Sequence, residues 1–172
     1  DKSVVELSAS PEDKYLSWEI ATFNVNGVRA RLPVILEWLR ERGPDVLCLQ
    51  EIKCRDEDFP AEAFAEIGYR AAVRGQKAYN GVAVLSRSEP EDVRREFADG
   101  APEDEQARLI SAEIDGVAVV NTYVPQGRDP EHPYFRYKLE FFDRLRRWFS
   151  DNFDPARPLV WLGDVNVAPE PI

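Results

Sequence analysis

Polar side chains recur where predicted strands end. Asn24 and Asn26 follow one apolar run, Gln50 and Glu51 a second, Tyr123 and Gln126 a third, and Asp164 and Asn166 a fourth. In α/β sheets, sites assemble in the loops beyond strand ends. The recurring types are carboxylate, carboxamide and phenol. Oxygen ligands of this kind suit a hard divalent cation such as Mg²⁺, and the amides and phenol can donate to a phosphate oxygen. Zinc is a poor match, because the one histidine is His132 and the two cysteines, Cys48 and Cys54, lack metal-knuckle spacing. Any single Asn or Asp here is also the type that forms a turn. Repetition at four strand ends points to chemistry, but spacing alone leaves the reaction open.

The elements that position these groups follow from hydrophobic periodicity. Trp18, Ile20, Thr22, Phe23 and Val25 predict a buried strand. Pro33 opens a helix, as a first-turn proline can, with Ile35, Leu36 and Leu39 as its apolar stripe and Gly43-Pro44 as its stop. Asp45–Gln50 reads as a second strand, so the β–α–β order predicts a parallel pair. Further strands are expected at Gly68–Val73, Gly81–Ser86, Arg108–Ile114 and Val117–Val124, the last two joined by an Asp115-Gly116 hairpin turn. Glu89–Gln106, acid-rich with Pro90 and Pro102, reads as an exposed connection. A helix from Tyr134 to Phe153 follows Pro133, with Leu139, Phe142, Leu145, Trp148 and Phe149 along one face. Pro158–Leu162 predicts the last strand. Residues 1–17 read as a polar lead-in, with Pro11-Glu12-Asp13 starting a short helical turn.

The 172 residues carry 22 Lys+Arg against 32 Asp+Glu, a net charge of −10. A protein that coats nucleic acid indiscriminately needs a basic surface and is excluded; a local positive groove is not. With 44% hydrophobic residues the chain can bury a core, and no run approaches the ~18 apolar residues of a membrane span. Cys48, inside Val46-Leu47-Cys48-Leu49, reads as a buried small hydrophobe, and both thiols fit a reduced cytoplasmic compartment. A chain that starts at Asp1 and has no methionine reads as processed or trimmed. Arg144, Arg146 and Arg147 read as a solvated helix face, and His132 as a turn or surface residue.

IATFNVNGVRARL (Ile20–Leu32), LQEIK (Leu49–Lys53), YNGVAVLSR (Tyr79–Arg87), YVPQG (Tyr123–Gly127) and GDVNVAP (Gly163–Pro169) occur in order. With these motifs the chain resembles the exonuclease III family of apurinic/apyrimidinic endonucleases, within the Mg²⁺-dependent endonuclease/exonuclease/phosphatase superfamily. The resemblance runs from Trp18 to Ile172. It implies an α/β fold, a four-layer sandwich of two packed mixed sheets with outer helices. Residues 18–172 would be the N-terminal two-thirds of one catalytic domain.

By the same resemblance, Glu51 is a Mg²⁺ ligand and Asn24 organises the metal centre, with Mn²⁺ as an alternative ion. Tyr123 contacts the scissile phosphate, Asp164 orients or deprotonates the attacking water, and Asn166 holds a phosphate oxygen. Asn26, Arg29, Arg74, Lys77, Tyr79, Arg108 and Gln126 fall at or near DNA-contacting positions. The implied activity is hydrolysis of DNA phosphodiesters 5′ to abasic sites, with 3′-end trimming, in base excision repair. The partner is double-stranded DNA with abasic sites or 3′ ends; a monomer is expected, with no membrane, in the cytoplasm (at the nucleoid in a bacterium). The family pattern continues beyond Ile172 with a further aspartate and a Ser-Asp-His motif, which leaves the site of these 172 residues incomplete. Two other readings stay open: a phosphatase of the same superfamily acting on a small phosphorylated substrate, and a catalytically dead DNA-binding module.

Overall fold

The computed structural model describes residues 2–8, 17–101 and 106–167. Its elements in chain order are β1 (Lys2–Ser8), β2 (Ser17–Asn24), α1 (Val28–Arg42), β3 (Val46–Gln50), α2 (Ala61–Ala65), β4 (Arg70–Arg74), β5 (Val82–Ser86), β6 (Glu91–Arg94), β7 (Leu109–Ile114), β8 (Val117–Tyr123), α3 (Pro133–Asn152) and β9 (Leu159–Asp164). A single 3₁₀ turn spans Asp56–Asp58. The strands form two mixed sheets, in the orders β1-β2-β3-β5-β4 and β6-β7-β8-β9.

Alternation along each strand explains the layers. Ile20, Val46, Cys48, Val82 and Val84 point inward from the first sheet to meet Ile110, Ala112, Ile114 and Val119 of the second. On the outer face of the first sheet, Leu47, Leu49, Ala83 and Leu85 pack with Ile35 and Leu39 of α1 and Phe64 of α2. On the outer face of the second, Leu109, Val120 and Val124 pack with Phe141, Leu145 and Trp148 of α3. The result is helix, sheet, sheet, helix: the four-layer α/β sandwich expected from the family motifs.

The expected β–α–β unit is present, and the structure adds a second. β2 and β3 pair in parallel across α1, and β8 and β9 in parallel across α3. Gly43 ends α1 in the left-handed region at φ 62°, its N–H donating to Leu39 O at 2.9 Å. Asp115 and Gly116, at φ 49° and 80°, make the two-residue turn between β7 and β8.

Several expectations are corrected. Residues Lys2–Ser8, expected as part of a polar lead-in, form an edge strand antiparallel to β2, with Val5 opposite Ile20. The open edge of β2 supplies backbone partners that side-chain patterning does not report. The turn expected at Pro11-Glu12-Asp13 lies outside the described residues. Helix α1 starts five residues before Pro33, because the N–H groups of Gly27 and Val28 are anchored on the Glu51 and Ile52 carbonyls at 2.7 and 3.1 Å. Pro33 is tolerated inside the helix on its exposed side, where solvent can satisfy the carbonyl that it leaves unpaired. The Glu89–Gln106 connection contains strand β6 and the buried Phe97. Leu139 is 54% exposed, whereas Phe141, absent from the expected stripe, is buried. The rest of the expected stripe, Phe142, Leu145, Trp148 and Phe149, packs in the same cluster as Leu109, Val120 and Val124.

Candidate active site

Period-two alternation also builds the site. Ile20, Thr22 and Asn24 share the inward face of β2, as Val46, Cys48 and Gln50 do on β3, Val119, Asn121 and Tyr123 on β8, and Val160, Leu162 and Asp164 on β9. Each series is apolar at its start and polar at its tip. The four tips converge at one end of the layer between the sheets.

There the Asn24 amide bridges two carboxylates from different sheets, its Nδ2 donating to Glu51 Oε1 at 2.8 Å and to Asp164 Oδ2 at 2.9 Å. The Tyr123 hydroxyl donates to the same Glu51 oxygen at 2.9 Å. Lys53 Nζ sits 2.9 Å from Glu51 Oε2 and also donates to Asn26 Oδ1. Asp164 Oδ1 accepts from the Asn166 backbone N–H at 3.1 Å. Asn166 is itself held twice, its side-chain amide donating to Val124 O at 2.8 Å and its carbonyl accepting from Lys138 Nζ at 2.6 Å.

The backbone carrying these groups is bent out of the ladder. Glu51 and Lys53 both lie at φ 52° and Asn26 and Asn166 at 44° and 48°. Left-handed geometry is mild for Asn but costs a Glu or Lys about 1–3 kcal/mol. Bonds from Gly27 N to Glu51 O (2.7 Å), Ile52 N to Gly81 O (3.2 Å) and Lys53 N to Asn80 O (3.0 Å) hold the bend. Strained residues held by their surroundings concentrate at functional sites.

The electrostatics separate the acid from the phenol. Burial pushes the Glu51 carboxyl up, but donors from Asn24, Lys53 and Tyr123 and the Lys53 charge outweigh it and hold the group below its ordinary value. Burial, the Glu51 bond and the Glu51 charge push the Tyr123 phenol up to about 12, so it stays protonated and remains a donor at neutral pH. Arg108 lies beneath this ring, its guanidinium 4.7 Å from the centroid and bonded to Tyr123 O and Gln106 Oε1 at 3.1 and 2.9 Å.

The donor set fits one divalent cation of the hard class. Among the described residues no group of three His, Cys, Asp or Glu side chains comes together. Mg²⁺ needs fewer, since it is held by one or two carboxylates and otherwise by water and substrate oxygens. Glu51 and Asp164 are such a pair.

A groove of about 520 Å³ opens beside Tyr123, lined among others by Gln76, Tyr79, Arg108, Gln126, Arg128 and Tyr134. Tyr79 is 69% exposed, so three of the expected DNA-contacting residues (Tyr79, Arg108 and Gln126) meet in one place. Arg108 is 8% exposed and committed to Tyr123. Asn26 stays within the carboxylate cluster through Lys53 and Asn24. Arg74 borders a small separate cavity with Phe97 and Arg144, whereas Arg29 and Lys77 are exposed on the first turn of α1 and in the β4–β5 connection. Those three do not line the groove. Arg144 also departs from the solvated face expected of it, pairing with Asp99 at 2.7 Å and lying 4.5 Å over the Phe97 ring. His132 caps α3, its Nδ1 accepting from Tyr134 N at 3.1 Å.

Sequence reasoning assigned no role to Lys53, Asn121, Arg128, Tyr134 or Lys138. Lys53 alone carried a signal, as the last residue of LQEIK.

Comparison with known proteins gives the family and the fold. Exodeoxyribonuclease III of Haemophilus influenzae is 40% identical over 154 residues, which cover 86% of this chain and 57% of that protein. An AP endonuclease structure from Archaeoglobus fulgidus superposes with a TM-score of 0.85 at 47% identity, over 90% of this chain and 59% of its own. The 3′-5′ exonuclease NExo from Neisseria meningitidis superposes at 0.83 with 41% identity, over 87% and 58%. The chain thus spans less than two thirds of the length of these relatives. The family model for the endonuclease/exonuclease/phosphatase family matches residues 21–172, a range that holds Asn24, Glu51, Tyr123 and Asp164 alike. The chain belongs to that family.

Proposed function

We propose that this chain carries the N-terminal part of a Mg²⁺-dependent DNA-repair nuclease that hydrolyses phosphodiesters 5′ to abasic sites and trims 3′ ends. The observation that carries the reading is the Asn24 amide joining Glu51 to Asp164, with the Tyr123 phenol on the same Glu51 oxygen. Carboxylates and neutral donors thereby meet where two sheets end beside an aromatic, amide-lined groove. Relatives named for exonuclease III and AP endonuclease activity favour DNA over a small phosphorylated substrate.

Glu51 and Asp164 would hold the cation, and Mg²⁺ would stabilise charge that develops on the phosphate as a Lewis acid. Asp164, its two oxygens fixed by Asn24 Nδ2 and Asn166 N, is placed to orient a water and take its proton. Tyr123, kept protonated, gives its one hydrogen to Glu51 Oε1 here and would turn it to a phosphate oxygen once a cation engages Glu51. The Asn166 side-chain nitrogen bears two hydrogens, so its bond to Val124 O leaves one to direct at phosphate. Donors fixed in advance need no reorganisation as charge builds. The exposed Tyr79 and the groove amides contact the flanking strand, while Asn26 belongs to the carboxylate cluster and Arg29, Arg74 and Lys77 lie outside the groove. Bound in this way, the enzyme acts as a monomer on double-stranded DNA. No helix among the described residues is long and apolar enough to cross a membrane.

The test is incision of an abasic-site duplex by the full-length protein with Mg²⁺, with EDTA, and as Glu51→Gln. Loss of cutting by about 10² or more with EDTA and in the variant is expected. Turnover of an inositol phosphate without duplex incision would favour the phosphatase reading, and EDTA-resistant binding without incision the inactive module.

A further inference from the structure

Asn121 lies on β8 two residues before Tyr123 and is fully buried, at 0% exposure. A carboxamide inside an apolar layer is costly unless its donors and acceptor are met. Here all are met, and each partner belongs to the opposite sheet. Nδ2 donates to the carbonyls of Leu49 on β3 and Ala83 on β5, both at 2.9 Å. Oδ1 accepts from Gln50 Nε2 at 2.8 Å. Leu49 and Ala83 are direct partners across the β3–β5 ladder, so one amide grips both strands. Gln50, 1% exposed, donates in turn to Thr22 Oγ1 on β2 at 2.9 Å. The network ends one residue before Glu51. Apolar contact between the sheets is non-directional and tolerates small slides, whereas a set of hydrogen bonds of defined length does not.

We propose that Asn121 is a positioning residue. It fixes the sheet bearing Asn24 and Glu51 against the sheet bearing Tyr123 and Asp164, so that one Asn24 amide can reach both carboxylates. The proposal rests on the reading of Glu51 and Asp164 as the cation-holding pair. Asn121 touches neither group and acts through Gln50 and the Leu49 backbone.

The test uses the intact full-length protein, Asn121→Leu, and Val84→Ala as a control. Val84→Ala opens space in the same layer without touching the amide network. Three quantities are measured: the melting temperature, Mn²⁺ binding by loss of the free ion's EPR signal, and hydrogen exchange at the Val25 and Gly27 amides, which donate to Gln50 O and Glu51 O. Both variants melt lower. Asn121→Leu alone weakens Mn²⁺ binding by about tenfold or more and speeds exchange at both amides. Equal Mn²⁺ affinity in the two variants, within about twofold, overturns the proposal and leaves Asn121 a space-filling residue. If Asn121→Leu does not fold, Gln50→Leu removes the bond to Oδ1 and is judged by the same two outcomes. A parent protein that binds no Mn²⁺ through Glu51 refutes the functional reading instead, and amide exchange then decides whether the clamp exists.

Discussion

Asn24→Ala is the substitution whose consequences the structure defines most closely. It deletes the donor to Glu51 Oε1 at 2.8 Å and to Asp164 Oδ2 at 2.9 Å. A hydrogen bond to a charged group contributes roughly 1.5–3 kcal/mol, so two give an upper bound of about 3–6 kcal/mol. Asn24, Glu51 and Asp164 are only half-buried, and water replaces part of what is lost. Halving the bound leaves about 1.5–3 kcal/mol. Little of this should appear as stability, because the freed carboxylates rehydrate; a loss of about 1 kcal/mol in denaturant unfolding is expected. Activity is different, because rehydrated carboxylates are no longer held at one geometry. At 1.36 kcal/mol per decade, kcat/KM on an abasic duplex should fall about 13- to 160-fold. The assay compares parent and variant at saturating Mg²⁺ alongside urea unfolding. A kcat/KM within about threefold of the parent would refute the bridging role. So would a rate loss that the stability loss fully accounts for.

Arg128→Gln should weaken DNA affinity and reduce the slope of log Kd against log salt by about one, as expected for one lost phosphate contact; an unchanged slope removes Arg128 from the groove's DNA-binding surface. The Arg29→Gln/Lys77→Gln double variant, altered outside the groove, should change that slope less than Arg128→Gln does. Asp99 is held below its ordinary value by its bonds to Arg144, so its stabilising effect is complete above the unfolded-state carboxylate value and fades as pH falls through the lower folded one. The melting advantage of the parent over Asp99→Asn should therefore be full at pH 7 and vanish in acid, and an advantage that persists at pH 2 contradicts the pairing. Residues 1–172 expressed alone should melt without a sharp transition and show no nuclease activity. In that polypeptide β9 is an edge strand with Trp161 41% exposed; a cooperative melt with turnover would refute this expectation.

Local chemistry alone determined much of this protein. Gly43-Pro44 and Asp115-Gly116 stop or turn the chain through backbone preferences that any context would respect. The alternation in β2, β3 and β8 marked both the strands and the tips where Asn24, Glu51 and Tyr123 sit. What tertiary structure decided were the features whose partners are distant in sequence. Val28 begins α1 because the bend at Glu51 and Ile52 presents carbonyls to it, and no window around Pro33 contains that fact. Lys2–Ser8 becomes a strand through the open edge of β2. Phe141 rather than Leu139 is buried because α3 docks with its face set by Phe97 and β8. Asn24 and Asp164 are 140 residues apart and meet through one nitrogen. Asn121 looked like any polar residue in an apolar run until its partners on β3 and β5 were in place. Periodicity reports which way a side chain points relative to its own strand. Which carbonyl or carboxylate waits there depends on how two sheets pack, and that is settled by the summed contacts of the whole layer.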